Sequence, residues 1–347
     1  MVSLLGKTLA ELQEIALEVG LKKFAGKQLA EWLYQKRAES IDEMSNISLK
    51  GREKLKERYV VGRHKPVAEA KSVDGTRKFL MKVEGGKWKV ESPHIETVYI
   101  PEDDRATLCV STQAGCKMGC KFCMTGTLGF NGHLPAGEIL NQVFEIEKAV
   151  GRGLSNIVLM GEGEPMDNID EVMRMLEVMT APWGCGWSPH RITVSSVGYR
   201  KGLKRFLDES ECHLAISLHN PYPMERKAIM PIENSNGIED VLSLLRQYDW
   251  THQRRLSFEY ICWGGQNDTP RHAKELVRLL RGLNCRVNLI RFHEGVDQTF
   301  PASDEKQMVW LRDYLTAHGI TTTIRRSRGE DILAACGMLV NALEKEQ

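Results

Sequence analysis

From about residue 105 to 327 the chain alternates short apolar runs with amphipathic stretches, and this alternation restricts its possible folds more than any other feature. Apolar, β-branched runs at 107–111, 156–160, 191–195, 213–218, 256–262 and 287–292 read as strands. Between them helical periodicity covers about 136–150, 169–180, 202–209, 238–249 and 271–282, and a further helix follows at about 303–318. Pro135 and Pro270 stand where first-turn prolines belong. A helix between two strands returns the chain to the same end of the sheet, so the strands run parallel. Six such units predict a parallel sheet curved into a partial (β/α)6 barrel, with a seventh strand at 321–326. In sheets of this kind ligands gather outside the carboxyl ends of the strands.

The segments before the barrel differ in character. Residues 1–60 read as a small helical module, opened by the capping-box pattern Thr8-Leu-Ala-Glu11 and the apolar stripe Leu9, Leu12, Ile15, Ala16 and Val19. A second helix starts near Gly26 and a third covers about 49–59. Residues 1–65 carry thirteen Lys and Arg against nine Asp and Glu, while the whole chain is only +1. Lys22, Lys23 and Lys27 bunch at one inter-helix turn, which is either a solvated basic face or an RNA-contacting one. Residues 61–101 read as a connector of short strands at 68–73, 77–83 and 88–91, punctuated by Asp74-Gly75 and Gly85-Gly86. The core then occupies 102–335 and a C-terminal segment 336–347. No run of 18 apolar residues occurs and the first residues do not read as a signal peptide, so a cytoplasmic protein without membrane contact is expected.

The loop after the first barrel strand holds Cys116, Cys120 and Cys123, spaced C-x3-C-x2-C. Three thiolates are one fewer than a [4Fe–4S] cube needs, which leaves one iron open to a ligand. A zinc site is the alternative, with His133 or Cys109 as fourth ligand. Polar residues recur at the other strand ends: Gly163, Glu164 and Pro165 after the second, Ser195 on the third, Ser217, Leu218 and His219 on the fourth, and His293 after the sixth. Glu164 can accept hydrogen bonds from a ligand ammonium, and the serines can bond a carboxylate or ribose; helix and strand capping explains each equally well in isolation. Cys109 and Cys336, read alone, are small buried hydrophobes.

Taken together these motifs resemble the RlmN-type dual-specificity RNA methyltransferases of the radical S-adenosylmethionine (SAM) superfamily. The resemblance runs through Glu96-Thr-Val-Tyr-Ile-Pro101, Leu108-Cys109, the cysteine triad, Met160-Gly-Glu-Gly-Glu-Pro165, Ala215-Ile-Ser-Leu-His219 and Arg328-Gly-Glu-Asp-Ile-Leu-Ala-Ala-Cys336-Gly. It implies a [4Fe–4S] cluster on Cys116, Cys120 and Cys123, and SAM, two per turnover, on Gly163, Glu164, Ser195, Ser217, Leu218, His219 and His293. It implies methylation of C2 of adenine in 23S rRNA, in the peptidyl-transferase region, and in tRNA next to the anticodon. Glu96 is then the proton acceptor, Cys336 the transient methyl carrier, and Cys109 its disulfide partner during turnover. The chemistry is consistent with those roles: C2 of adenine is electron-poor and cannot attack a methyl group, whereas a cysteine thiolate can. The base must also leave its stack to reach the site, and Arg325, Arg326 and Arg328 are candidate phosphate contacts. An electron donor such as a flavodoxin or ferredoxin is implied, and a monomer is expected.

Two positions depart from the family pattern: His293 stands where Asn is common, and Glu162 where Met is expected. Two other readings compete. A methyltransferase acting on C8 of adenine, of the antibiotic-resistance type, shares the cluster motif and both outer cysteines. A non-catalytic zinc-bound RNA-binding protein accounts for the triad and the basic helices but not for Glu164, Ser217 and Cys336.

Overall fold

The computed structural model describes residues 1–91, 93–127, 129–252, 254–293, 300–335 and 337–339. The chain opens with β1 (Val2–Ser3) and α1 (Leu9–Glu18). Thr8 caps α1 through the expected box: the Glu11 N–H reaches Thr8 Oγ1 at 3.4 Å and the Glu11 carboxylate takes the Thr8 N–H at 2.8 Å. Leu12, Ile15 and Ala16 form its buried stripe. Next come α2 (Ala25–Ala30), which runs on as a turn of π-helix over Glu31–Gln35, and α3 (Leu49–Lys56). β2 (Tyr59–Val60) returns to pair in parallel with β1, closing the module.

This module is welded to the barrel rather than tethered to it. Its apolar residues belong to the same continuous core as the barrel helices. Arg63 meets Glu145 at 2.7 Å with both side chains buried, and Arg37 pairs with Glu147. A Cβ on Gly6 would lie 2.3 Å from the Gly137 nitrogen, so the backbones touch there. Removing residues 1–60 would therefore expose core, and the module's surface charge is the part that can be altered cleanly.

β3 (Ala68–Lys71), β4 (Arg77–Lys82) and β5 (His94–Pro101) form an antiparallel meander. β5 continues antiparallel onto β6 (Ala106–Cys109), the first barrel strand. The connector strands are thus an extension of the main sheet. The expected strand at 88–91 does not form; there Lys87, Trp88 and Lys89 line a surface groove against the next hairpin. That hairpin is β7 (Gln113–Gly115) with β8 (Phe130–His133), and the triad loop and the short α4 (Met124–Thr127) lie between its strands.

The remaining units alternate as expected: α5 (Ala136–Val150), β9 (Asn156–Leu159), α6 (Ile169–Thr180), β10 (Ile192–Ser196), α7 (Arg200–Glu209) and β11 (His213–Ser217). A short α8 (Pro223–Ile229) precedes α9 (Ile238–Leu245), β12 (Leu256–Cys262), α10 (Pro270–Leu280), β13 (Cys285–Arg291), α11 (Glu305–Ala317) and β14 (Thr321–Ile324). The sheet order is β14-β13-β12-β11-β10-β9-β6-β5-β4-β3, parallel from β14 to β6. Every residue of β12 is buried, as a strand covered on both faces requires. No described helix is long and apolar enough to cross a membrane.

Candidate active site

Two cavities meet at the carboxyl ends of the parallel strands. The first, about 140 Å³, is lined by all three triad cysteines together with Gly163, Ser195, Ser217 and His219. The second, about 270 Å³, is lined by Cys109, His293, Arg105, Arg325, Arg326 and Arg328. Met160, Ile290, Arg325 and Gly337 border both, so they form a shared wall.

The triad loop is a row of weakly solvated thiols. Burial pushes the Cys116 thiol up to about 12, and burial raises Cys120 and Cys123 as well. Thiols in this condition ionise when a cation takes the charge, as iron does. Among the described residues no three His, Cys, Asp or Glu side chains converge as a single metal ion would need. The two candidates for a fourth zinc ligand point elsewhere: His133 faces an outer groove and bonds Gln113 at 3.0 Å, and Cys109 lines the second cavity. Three thiols around one cavity suit a multi-iron cluster better than zinc.

The turn after β9 is held from below. Gly163 has φ +98°, and a Cβ there would meet the Gln113 side chain at 2.5 Å, so only glycine fits. Gln113 Oε1 accepts the Glu164 N–H at 2.9 Å. The Glu164 carboxylate itself accepts the N–H groups of Val197 at 2.9 Å and Met166 at 3.0 Å. It lies behind the cavity wall, and burial raises its pKa to about 7.

His219 sits just beyond β11 with φ +55°, unusual for a side chain of this size. Its Nδ1 accepts the Ile261 N–H at 3.1 Å, which puts the ring proton on Nε2. Burial and the nearby Arg226 charge push its pKa down to about 3, so the ring is a neutral donor. Arg226 comes from α8, which the periodicity did not reveal. Its side chain is fully buried and donates to the carbonyls of Val197 at 2.9 Å, Ser217 at 3.0 Å and Leu218 at 3.1 Å. It pairs with Glu233 and so ties the ends of β10 and β11 together. Leu218 is buried behind the first cavity. His293 borders the second, with Nε2 2.8 Å from Ser327 Oγ.

Arg325 turns inward onto the buried carboxylate of Glu259 at 3.2 Å, and Arg328 faces Asp74 at 3.9 Å. Arg326 and Arg105 are the exposed cations of the second cavity. Cys109 is half-buried on β6 and packs with Ala334 and Leu339 of the C-terminal segment. Cys336 lies outside the described residues; its neighbours Ala335 and Gly337 line the second cavity. That segment is pinned to α4 by Met124 N–H to the Gly337 carbonyl at 2.8 Å and by Thr125 Oγ1 to the Leu339 carbonyl at 3.1 Å.

Glu96 lies on β5, fully buried, with its carboxylate 2.9 Å from Lys78 Nζ. The β5–β6 ladder ends at Val98 and Cys109, and side chains replace the next rung. Ser111 Oγ donates to the Glu96 carbonyl at 2.7 Å, and Glu162 Oε1 accepts the Glu96 N–H at 2.8 Å. Glu162 Oε2 takes the Gly115 N–H at 3.1 Å. The unexpected glutamate is thus a brace between the strand of Glu96 and the residue before Cys116. Lys78, Gln113, Arg226 and Glu259 escaped the sequence reading, and Glu162 was singled out there only as a departure from the family pattern. For Lys78, Arg226 and Glu259 the one signal was a charge among apolar neighbours.

The model of the ribosomal RNA large subunit methyltransferase N-terminal domain matches residues 2–61, and that of the radical SAM superfamily matches 110–280. Over 345 residues the chain is 55% identical to a probable dual-specificity RNA methyltransferase RlmN of Phocaeicola vulgatus, covering 99% of this chain and 97% of that protein. It is 39% identical to the dual-specificity RNA methyltransferase RlmN of Nitratidesulfovibrio vulgaris, covering 98% and 95% respectively. A solved radical SAM methyltransferase from Sphaerobacter thermophilus superposes with a TM-score of 0.89 at 37% identity, over 98% of this chain and 99% of that one.

Proposed function

The chain belongs to the dual-specificity RNA methyltransferase RlmN family of radical SAM enzymes, and from that premise we propose that it methylates C2 of adenine in 23S rRNA and in tRNA. The observation that carries the reading is the shared wall. Gly337, next in sequence to Cys336, borders both the thiol-lined cavity and the arginine-lined one. A methyl carrier at Cys336 can therefore serve a SAM site on one side and an RNA base on the other.

Cys116, Cys120 and Cys123 would hold a [4Fe–4S] cluster, and Gly163, Ser195, Ser217 and His219 would contact SAM, with Glu164 and Leu218 shaping the wall behind it. Cluster and SAM, when bound, supply a hydrogen-abstracting radical. The chain's own residues do the rest. The Cys336 thiolate accepts a methyl group, because sulfur is nucleophilic where C2 of adenine is not. The flipped adenine enters the second cavity, its phosphates met by Arg326 and Arg105. Glu96 takes the C2 proton once the sulfur-bound carbon has joined the ring. Cys109 attacks the Cys336 sulfur as a thiolate and breaks the carbon–sulfur bond. The released CH2 carbon takes a proton and becomes the methyl group, the unpaired electron left by the addition would return to the redox chain that supplied it, and a Cys109–Cys336 disulfide is left for reduction. His293 borders the cavity assigned to RNA, so its contact with SAM rests on the resemblance alone.

The basic N-terminal surface supports an RNA partner: Lys22, Lys23 and Lys27 are exposed around Phe24, itself 60% exposed, a combination of charge and stacking face suited to RNA. That module and the end-to-end match favour C2 over the C8 alternative. A cytoplasmic monomer reduced by a flavodoxin or ferredoxin completes the reading. Anaerobic reaction of the reconstituted protein with SAM, reductant and unmodified ribosomal and transfer RNA, followed by nucleoside mass spectrometry, should yield 2-methyladenosine. A product of 8-methyladenosine would transfer the chain to the other class.

A further inference from the structure

Lys78 and Glu96 lie on adjacent antiparallel strands, where Lys78 is opposite Val98 and Glu96 is opposite Leu80. They are diagonal neighbours on one face, a separation that long side chains span. Both are buried, at 1% and 0% exposure. The Lys78 ammonium stands 2.9 Å from Glu96 Oε1 and 3.3 Å from the Leu333 carbonyl. Leu333 adopts φ +51° at the start of the segment that leads to Cys336. That segment is fastened nearby as well: Asp331 accepts from Ser72 Oγ at 2.6 Å and from the Val73 N–H at 3.1 Å.

A buried ion pair gains little stability over apolar residues of the same size, because both charges must be desolvated. A sheet that needed only packing would fill these positions with Leu or Met. An ammonium with three donors does what an apolar side chain cannot: it draws a carboxylate toward itself by charge and joins it to a third group by a hydrogen bond. We propose that Lys78 is a positioning residue for the methyl transfer, holding the Glu96 carboxylate in register with the C-terminal segment through its shared bond to the Leu333 carbonyl. This rests on the reading of Glu96 as the proton acceptor. Lys78 touches no reacting atom and changes no bond.

The test is a double-mutant cycle on the reconstituted full-length enzyme: wild type, Lys78→Met, Glu96→Gln and Lys78→Met/Glu96→Gln. Iron content and SAM affinity serve as controls in each. Glu96→Gln should lower kcat by roughly 10³-fold, within the range for a general base. Lys78→Met should lower kcat on the order of 10²-fold and leave KM for RNA within about twofold, because it acts on the base and not on binding. In the Glu96→Gln background the lysine change should cost less than about threefold, since two residues that act as a unit are not additive. That last comparison does not depend on Lys78→Met folding, because Glu96→Gln keeps an amide oxygen that can accept from the ammonium, the double variant buries no charge, and iron content and SAM affinity report whether each is folded. A further loss of about 10²-fold in that background, or a Lys78→Met enzyme with normal kcat, would overturn the positioning role. Glu96→Gln at the wild-type rate would instead sink the reading of Glu96 as base.

Discussion

At the scale of single residues, chemistry was legible where it uses reactive side chains at fixed spacing. The triad stands out by its C-x3-C-x2-C interval, whereas Cys109 and Cys336 read alone as small buried hydrophobes and take their roles from the family resemblance. Glu162 shows what spacing does not convey. In the sequence it is a departure from the family pattern with no visible purpose; in the fold it is 1% exposed and accepts two backbone N–H groups from different strands. Its partners are 47 and 66 residues away, and periodicity carries no information at that distance. Replacing it with Met should strand both N–H groups and destabilise the protein by about 1–3 kcal/mol for each. Gln, which keeps one acceptor oxygen, should cost less. Urea unfolding of the three proteins checks this order, and equal midpoints for wild type and Glu162→Met would show that the brace carries no weight.

At the scale of elements, the strands and helices of the barrel were readable because each is long enough to show its period. The exceptions have physical reasons. α8 is seven residues long and buries Arg226 on its inner face, so its pattern looks polar. β7 and β8 are short and contain Gly115 and Gly132, so their hairpin reads as loop. The β11–β12 seam holds a device that no period reveals. His213 Nδ1 accepts the Arg255 N–H at 3.1 Å, just as His219 Nδ1 accepts that of Ile261. Burial lowers the two pKa values to about 4 and about 3. A histidine whose folded pKa is depressed contributes stability that is complete above its unfolded value near 6.5 and is lost as pH falls toward the folded value. The fully buried His219 should therefore cost about 2 kcal/mol between pH 7.5 and pH 5, and His213, whose surroundings are partly solvated, about half as much. His213→Gln, measured by urea unfolding at both pH values, should flatten that decline by about 1 kcal/mol. An unchanged slope would mean that His213 stays neutral in neither state or in both.

At the scale of the whole molecule, the sequence foretold a partial barrel of parallel strands, and the sheet runs parallel from β6 to β14 with two cavities at the strand ends. It did not foretell that the rim is divided. The shared wall joins Met160, Ile290 and the C-terminal stretch that carries Arg325 and Gly337, a relation that exists only once the sheet has curved. The division gives the account its logic: thiols and strand-end hydroxyls on one side, Cys109 and exposed arginines on the other, and the C-terminal segment between them. If Cys336 carries the methyl group across that wall and Cys109 releases the product, their alanine variants must fail differently. Cys336→Ala has no sulfur to methylate and should form no protein–RNA bond. Cys109→Ala can be methylated and can add to adenine, but has no thiolate to cleave the link. The direct measurement is intact-mass and gel analysis of both variants after anaerobic reaction with SAM, reductant and RNA. The account predicts a nuclease-sensitive adduct through Cys336 in Cys109→Ala and none in Cys336→Ala. Normal turnover by Cys109→Ala, or methylated adenine from Cys336→Ala, would contradict it.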